Sequence, residues 1–297
     1  LLFQWFGFGS SDDYTSAFGN NFDGYTVIKD SQEYALSFGG ELTDETLQKI
    51  VSNYQQMEAD GMEEELEKTD WQIVNNWLGT LCPELRDTSN YKTMISYVDP
   101  DKLTGFYERR QQVLDEFLEV SGQVGAEKEF LHQIERKVEK PFHYEWVEGW
   151  STLLGSMVAD LGVVMALFLG IVLSSLFAGE WHDNTSTLVL TTRNGWGKIA
   201  LAKILTGLAF TVELFALLAV SNVISQLFFM GTAGWDMPIQ NIKLIAVAPM
   251  NMLQAEIYEY AFVLLGAMGF AGIVMFISAA VKNNVLTLLL SLAVVYG

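Results

Sequence analysis

The stretch Leu153–Gly179, LLGSMVADLGVVMALFLGIVLSSLFAG, decides the fold class of the chain. It contains one charged residue, Asp160. A helix needs about 20 mostly apolar residues to cross a bilayer. The stretch therefore predicts a membrane-spanning helix, and the chain is expected to be an all-α polytopic membrane protein.

Four more runs have the same apolar character. Ile204–Trp235 contains one charge, Glu213, whereas Tyr260–Val281 contains none. Asn283–Gly297 is uncharged but ends before it could cross a bilayer, and Leu1–Phe8 reads as the tail of a first membrane helix, because no basic region of a signal peptide precedes it. We expect five membrane segments, two of them incomplete, and six in a full chain. The four helices predicted after residue 150 span about 152–178, 199–230, 257–281 and 284–297.

The charges are distributed unevenly along the 297 residues. Residues 1–150 hold 29 Asp and Glu against 12 Lys and Arg, and residues 151–297 hold 7 against 5. We interpret residues 9–150 as an acidic extracellular domain and residues 151–297 as the transmembrane domain. Nucleic acid is a poor partner for so acidic a surface, because phosphate binding is driven by Lys and Arg.

The basic residues of the short links predict the orientation. Arg193, Lys198 and Lys203 lie between the second and third segments, and Lys282 lies between the fourth and fifth. Cytoplasmic loops carry an excess of Lys and Arg, so these links are expected in the cytoplasm, with the acidic domain and the loop 231–256 outside. Tryptophans near the segment ends predict an interfacial aromatic belt: Trp5, Trp146, Trp150, Trp181, Trp196 and Trp235.

Residues 9–150 are predicted to be helical. Thr43 is a candidate N-cap, and Thr69 opens the spacing of a capping box. Asp99 is predicted to cap a helix that has proline at its first position and ends at Gly122. Apolar residues at helical spacing predict that these helices pack into a small bundle: Leu114, Phe117, Leu118, Phe130, Leu131 and Ile134.

No residue pattern indicates a catalytic centre. The sequence lacks the phosphate-binding loop G-x-x-x-x-G-K-[ST] and the motifs G-x-S-x-G and H-E-x-x-H. Cys82, the single cysteine, excludes an internal disulfide, and His132 and His143 have no second ligand at helical spacing. The acidic run at 63–67 is interpreted as a solvated helix face. We expect no enzyme activity, metal or cofactor in this chain.

Asp160 and Glu213 are ionisable residues inside two adjacent membrane segments. Such residues are costly in a bilayer and indicate a pathway or a buried partner. If the two lie at similar depth, they need a cation or a shared proton. Two interpretations stay open: they line the substrate path or a dimer interface and select cationic or polar cargo, or they hydrogen-bond Ser, Thr or Asn of a neighbouring helix.

The link between the second and third segments reads SSLFAGEWHDNTSTLVLTTRNGWGKIALAK from Ser174 to Lys203. This pattern resembles the first intracellular loop of ABC-2-type transporter permeases, which runs approximately F-x-x-E-x-x-x-G-T, then L-L-T-x-P, then a basic residue and a lysine that opens the next helix. Asn184 stands where glycine is usual, and no proline follows Thr192. The positions that fit are Phe177, Glu180, Thr185, Leu190, Thr191, Arg193 and Lys203.

The resemblance covers residues 150–297 in pattern and implies a permease subunit without its own ATPase motif. Separate ABC ATPase subunits, which bind ATP and Mg, would dock on the cytoplasmic coupling loop 179–198. A short amphipathic helix at about 184–190 would present one face to a groove of the ATPase, and Glu180 would pair with Arg193 or with a basic residue of that partner. The residues assigned to coupling are Glu180, Thr185, Leu188, Leu190 and Arg193.

The same resemblance implies a second permease copy, or a homologous permease, as a partner in the bacterial plasma membrane. The expected cargo is a peptide, an antibiotic or another amphipathic compound. The alternative is a receptor-like membrane protein whose acidic extracellular domain binds a peptide. For Glu180 a second interpretation stays open, in which it merely ends its helix in headgroup water. A membrane-embedded enzyme would need more convergent polar residues than Asp160 and Glu213 supply.

Overall fold

A computed structural model describes residues 14–15, 21–22, 24–62, 71–82, 94–182, 185, 191 and 197–296. The described residues are mostly helical, and the chain divides into two compact units. The first unit comprises Leu1–Ser151 and Gln226–Ala255, and the second comprises Thr152–Ser225 and Glu256–Gly297.

The first unit combines helices with two small antiparallel sheets. Its helices are α1 (Gly24–Ser37), α2 (Asp44–Ala59), α3 (Trp71–Leu81), α4 (Met94–Tyr97), α5 (Phe106–Val120) and α6 (Ala126–Glu135). Its strands are β1 (Tyr14–Thr15), β2 (Asn21–Phe22), β3 (Gly40–Leu42) and β4 (Phe142–Tyr144), paired β1 with β2 and β3 with β4. The prediction that residues 9–150 are helical is therefore wrong at the two sheets.

The β3–β4 pair depends on partners far apart in sequence. Leu42 lies opposite Phe142 and Gly40 opposite Tyr144. The hydroxyl of Tyr107 on α5 donates to the carbonyl of Leu42 at 2.7 Å and accepts from the amide of Phe142 at 2.6 Å, so it joins the two strands. Burial raises the pKa of Tyr107 to about 12, which keeps the hydroxyl protonated as this bridge requires.

The helix starts were predicted with mixed success. Thr43 is the N-cap of α2, since its hydroxyl accepts from the amide of Thr46 at 3.2 Å. Asp99 caps only a 3₁₀ turn at Pro100–Lys102, so the prediction of a helix from that position is wrong. The α-helix begins instead at Phe106, because the carboxylate of Asp44 accepts the amides of Gly105 and Phe106 at 2.7 and 2.9 Å. Thr69 lies outside the described residues.

The predicted bundle packing holds in part. Leu114 and Leu118 on α5 are buried, whereas Phe117 and Phe130 are exposed. The buried residue of α6 is Glu135, which carries a carboxylate rather than an apolar side chain. Hydrophobic periodicity does not show this, because it counts Glu135 as a surface residue.

Residues 231–251 are an integral part of the first unit. The indole of Trp77 on α3 donates to the backbone carbonyl of Asn241 at 2.8 Å, and the side-chain amide of Asn241 donates to the carbonyl of His143 at 2.8 Å. Trp77 also packs edge-on against Tyr144, with ring centroids 5.2 Å apart. This segment thus contributes to the same core as α3 and β4.

Two tryptophans of the predicted belt belong to this core. Trp146 and Trp150 are buried, and their indoles donate to the carbonyls of Met230 and Ala233 at 3.1 and 2.9 Å. Their assignment to an interfacial belt is therefore wrong. Trp181 and Trp235 are exposed, and Trp5 and Trp196 lie outside the part of the chain that the structure describes.

A buried arginine anchors residues 244–246. Arg110 on α5 has a side-chain exposure of 0% and meets the carboxylate of Glu135 at 2.7 Å. It donates to the carbonyls of Leu244 and Ala246 at 2.7 and 3.0 Å. Burial acts to raise the pKa of Glu135, but hydrogen bonds from Lys140 and Arg110 outweigh it and lower that pKa, so Glu135 stays ionised.

The long helices follow β4. They are α7 (Glu148–Thr152), a π turn (Leu153–Met157), α8 (Val158–His182), α9 (Lys198–Met230), α10 (Met252–Val281) and α11 (Asn284–Tyr296). By length and composition, three helices of the described chain can cross a membrane: Glu148–Trp181, Lys198–Met230 and Met252–Val281. The apolar helix α11 is shorter, and Leu1–Phe8 lies outside the described residues.

The core of the second unit is an apolar stripe on α8. Leu161, Met165, Leu169 and Leu173 recur every fourth residue, and they cluster with small and apolar residues of α9 and α10. Gly170 on α8 faces α11, since a Cβ there would lie 3.4 Å from the side chain of Leu288, within van der Waals contact. Small residues in membrane helices permit such contacts.

Candidate functional site

An ion pair joins the end of α8 to the start of α9. The carboxylate of Glu180 lies 2.7 Å from the ammonium of Lys203. The same ammonium donates to the carbonyl of Leu176 and lies 5.0 Å from the ring centroid of Phe177. Lys203 is mostly buried, so this pair is screened by water less than a surface pair.

The end of α10 also forms polar contacts with the end of α8. The hydroxyl of Ser278 donates to the carbonyl of Ser174 at 2.7 Å and accepts from the amides of Phe177 and Ala178 at 3.1 and 3.0 Å. The ammonium of Lys282 lies 3.8 Å from the ring centroid of Trp181, a favourable cation–π distance. These polar contacts hold together the end of α8, the start of α9 and the end of α10. We call the residues that make them the helix-end clamp: Glu180, Trp181, Lys203, Ser278 and Lys282.

The linker between α8 and α9 begins directly at the helix-end clamp. Thr185 is exposed, and its amide donates to the carbonyl of Glu180 at 3.0 Å, which continues the chain directly from the clamp. Leu188, Leu190 and Arg193, and the amphipathic helix predicted at 184–190, lie outside the described residues. The pairing of Glu180 with Arg193 stays a prediction.

The sequence pattern pointed to Glu180 as a coupling residue, but it did not predict that Lys203 is the partner of Glu180 in an ion pair. Lys203 fits the motif as the lysine that opens the next helix, yet only the structure shows that it reaches back to Glu180. The reason is geometric: the two residues lie on different helices, and spacing along one chain does not show which helix ends meet.

Asp160 and Glu213 are both exposed on the second unit. Gly207 of α9 lies level with Leu176 of α8, because a Cβ at Gly207 would lie 3.4 Å from that side chain. At 1.5 Å per residue, Glu213 lies about 9 Å beyond this level and Asp160 about 24 Å beyond it. Their depths thus differ by about 15 Å, which is too far for a shared proton.

A polar cluster that the sequence analysis missed lies where α9 and α10 pack. Glu256 is 4% exposed, and Asn222 is also buried. Glu256 interacts with Tyr260 and Glu259, and Tyr260 interacts with Asn222. Within the described residues, no contact of the carboxylate oxygens of Glu256 or of the hydroxyl of Tyr260 has the distance and angle of a full hydrogen bond, although Tyr260 lies close enough to interact with both Glu256 and Asn222.

A capping signal marks the helix that carries this cluster. The side chain of Asn251 accepts from the amide of Gln254 at 2.9 Å, and the side chain of Gln254 accepts from the amide of Asn251 at 3.2 Å. This reciprocal pair is a capping box, and it starts α10 at Met252. A segment begun at Tyr260 leaves out Glu256, whereas the capping box places it inside a membrane-length helix.

The described residues contain no group of three or more His, Cys, Asp or Glu side chains able to hold a metal ion. His132, predicted to be structural, lies 3.1 Å from Asp115. Cys82 is buried, and its sulfur accepts from the guanidinium of Arg109 at 3.3 Å.

Comparison with protein-family models, curated proteins and solved structures finds no match to this chain.

Proposed function

We propose that this chain is the permease subunit of an ATP-driven exporter of the ABC-2 type. The observation that carries the proposal is the Glu180–Lys203 pair, which ties together the two helices that flank the linker with the permease-like pattern. Separate ATPase subunits bind ATP and Mg and dock on this linker. A second copy of the chain, or a homologous permease, completes the pathway.

The clamp suits a part that receives mechanical work. An ATPase docked on the linker moves the membrane helices only if the linker is firmly attached to them. Ion pairing, cation–π contact and the Ser278 hydrogen bonds attach it to the ends of α8, α9 and α10 together. A displacement of the linker is thereby passed to three helices rather than absorbed at one flexible joint.

The contents of the first unit support the proposed topology. The unit unites the residues before α7 with residues 231–251. Two membrane crossings, by the span Glu148–Trp181 and by α9, separate these segments along the chain. An even number of crossings returns the chain to the same side, which supports a first unit on one side of the membrane and the linker on the other. The basic residues Arg193, Lys198 and Lys203 favour the cytoplasm for the linker.

Disruption of the clamp is expected to release the ATPase. We expect an ATPase subunit to co-purify with the wild-type chain from membranes of the native host in mild detergent. Glu180→Ala and Lys203→Met should each reduce that recovery about ten-fold, because loss of a partly buried ion pair weakens attachment of the linker by about 1–2 kcal/mol. The measurement is the ratio of ATPase to permease by quantitative mass spectrometry.

Two variants serve as controls. Lys243→Met removes one positive charge from an exposed site of the first unit and should leave the ratio unchanged. The double reversal Glu180→Lys with Lys203→Glu keeps an ion pair and should restore binding if the pair acts by positioning the linker. Absence of any ATPase from the wild-type preparation contradicts the proposed function and directs attention to ligand binding by the first unit, as in a receptor.

A further inference from the structure

Glu256 differs from the other carboxylates described in the second unit. The side chain of Glu256 is buried, whereas Asp160 and Glu213 are exposed. Glu180 pairs with Lys203. Both oxygens of Glu256 are enclosed, and neither makes a hydrogen bond of full distance and angle in the described chain, although the hydroxyl of Tyr260 lies nearby. An ionised carboxylate in such surroundings is strongly destabilised unless a cation accompanies it.

No described basic residue of the second unit can supply that cation. Lys282 follows Glu256 by 26 residues on α10, which is about 39 Å along a helix. Lys203 is engaged by Glu180. Lys198 lies at the first position of α9, 24 residues before Asn222, which is about 36 Å. The second carboxylate at the cluster, Glu259, adds negative charge and strengthens the attraction for a cation.

The polar groups around Glu256 match the needs of one ligand group. Besides its carboxylate, the cluster presents the buried hydroxyl of Tyr260 and the side-chain amide of Asn222. A primary ammonium has three N–H donors and no acceptor, and these three side chains provide oxygen acceptors for it. The ring of Phe215 stands edge-on to Tyr260, with centroids 6.0 Å apart, and gives the cluster an apolar wall.

We propose that Glu256, Tyr260 and Asn222 form a binding site for a primary ammonium group, so that the cargo is a cationic amine. This deepens the proposed export function by naming the class of cargo. The excess of acidic residues in 1–150, which hold 29 Asp and Glu against 12 Lys and Arg, raises the local concentration of such a cation by electrostatic attraction.

The test measures binding to the full chain in lipid nanodiscs without any ATPase. Dansylcadaverine, a fluorescent primary amine, is compared with its N-acetylated, neutral form by fluorescence anisotropy. We expect the amine to bind at least about ten-fold more tightly than the acetylated form, as a charge-assisted hydrogen bond allows. Glu256→Gln should abolish this preference. Because no ATPase is present, this result is independent of the co-purification experiment.

Two matched controls define the site. Tyr260→Phe removes the hydroxyl at the cluster and should weaken amine binding, whereas Tyr258→Phe removes an exposed hydroxyl and should have no effect. Glu116→Gln removes one negative charge from an exposed position on α5 and should leave the preference intact. Equal binding of the two probes, or wild-type preference in Glu256→Gln, overturns the proposal.

A second measurement uses the wild-type chain alone, so it does not depend on the folding of any variant. Dicyclohexylcarbodiimide modifies carboxyl groups in apolar surroundings, and peptide mass spectrometry locates the modification. Because a carbodiimide-activated carboxyl couples to a primary amine that contacts it, with release of the urea, we expect dansylcadaverine to be attached as an amide to Glu256 in much higher yield than to exposed carboxyl groups such as Glu116. Coupling of the amine to Glu256 in no higher yield than to Glu116 overturns the proposal.

Discussion

Replacement of Arg110 by methionine lowers the free energy of unfolding by about 3 kcal/mol. The guanidinium is fully buried, contacts Glu135 at 2.7 Å and donates to the carbonyls of Leu244 and Ala246. Methionine fills similar space but leaves Leu244 without this donor and Glu135 with Lys140 as its remaining cation. The cost stays near the low end for broken buried pairs, because Lys140 lies 2.8 Å from the same carboxylate.

Hydrogen exchange of the full chain in nanodiscs measures this effect locally. We expect amides of residues 242–246 to exchange about 100-fold faster in Arg110→Met, since each 1.4 kcal/mol corresponds to a factor of ten. Arg136→Met is the matched control, because Arg136 is exposed and its loss should change stability by about 0.5 kcal/mol or less. Similar exchange in the two variants would show that Arg110 does not anchor this segment.

Replacement of Gly234 by alanine destabilises the first unit by about 3 kcal/mol. Gly234 has φ of 78°, and a Cβ there would run into the carbonyl oxygen of Trp146. The left-handed conformation costs a residue with a side chain about 1–2 kcal/mol, and displacement of the backbone at Trp146 adds a further cost. The hydrogen bond from Trp150 to Ala233 lies beside this contact and should weaken with it.

Gly122 offers a close control for Gly234. Its φ is 77°, but a Cβ there would meet nothing within 4 Å. Gly122→Ala therefore carries the conformational cost alone, about 1–2 kcal/mol. Thermal unfolding of both variants, followed by hydrogen exchange around Trp146, separates the two terms. Equal destabilisation would mean that the close approach to Trp146 contributes nothing.

The membrane helices were predictable because length and apolarity are local properties. The runs around Leu153–Gly179, Ile204–Trp235 and Tyr260–Val281 correspond to the three helices long enough to cross a membrane. Their ends were less predictable. The start of α10 at Met252 depends on the capping box of Asn251 and Gln254, which is legible in the sequence but stands before two glutamates that suggest an aqueous loop.

The first unit shows what local patterns do not reveal. Asp44 sets the start of α5 from a position 62 residues away, and Arg110 reaches carbonyls more than 130 residues later. Trp146 and Trp150 lie near a membrane segment in sequence, but they donate to carbonyls of Met230 and Ala233 and are buried in the first unit. Such pairings depend on which segments fold together, and composition around each residue does not specify them.

The candidate sites were likewise predictable from the sequence only in part. Glu180 was recognisable because its motif is contiguous, and Lys203 was recognisable as part of it, but their contact was not. Asp160 and Glu213 drew attention as isolated charges in apolar runs, yet both are exposed. Glu256 escaped notice because its burial depends on the packing of α10 against α9. A charge in an apolar run indicates a candidate, but only the packing of the helices shows whether the charged side chain is buried against a neighbouring helix.

The central claim, that the linker after α8 docks an ATPase, is tested most directly by cross-linking from Thr185. A benzoylphenylalanine at this exposed position, activated in native membranes, captures whatever contacts the linker, and the same group at exposed Tyr97 of the first unit serves as the control. We predict that position 185 and not position 97 captures a subunit with the phosphate-binding loop of an ATPase. Failure to capture such a subunit from position 185, or its capture equally from position 97, would contradict the account.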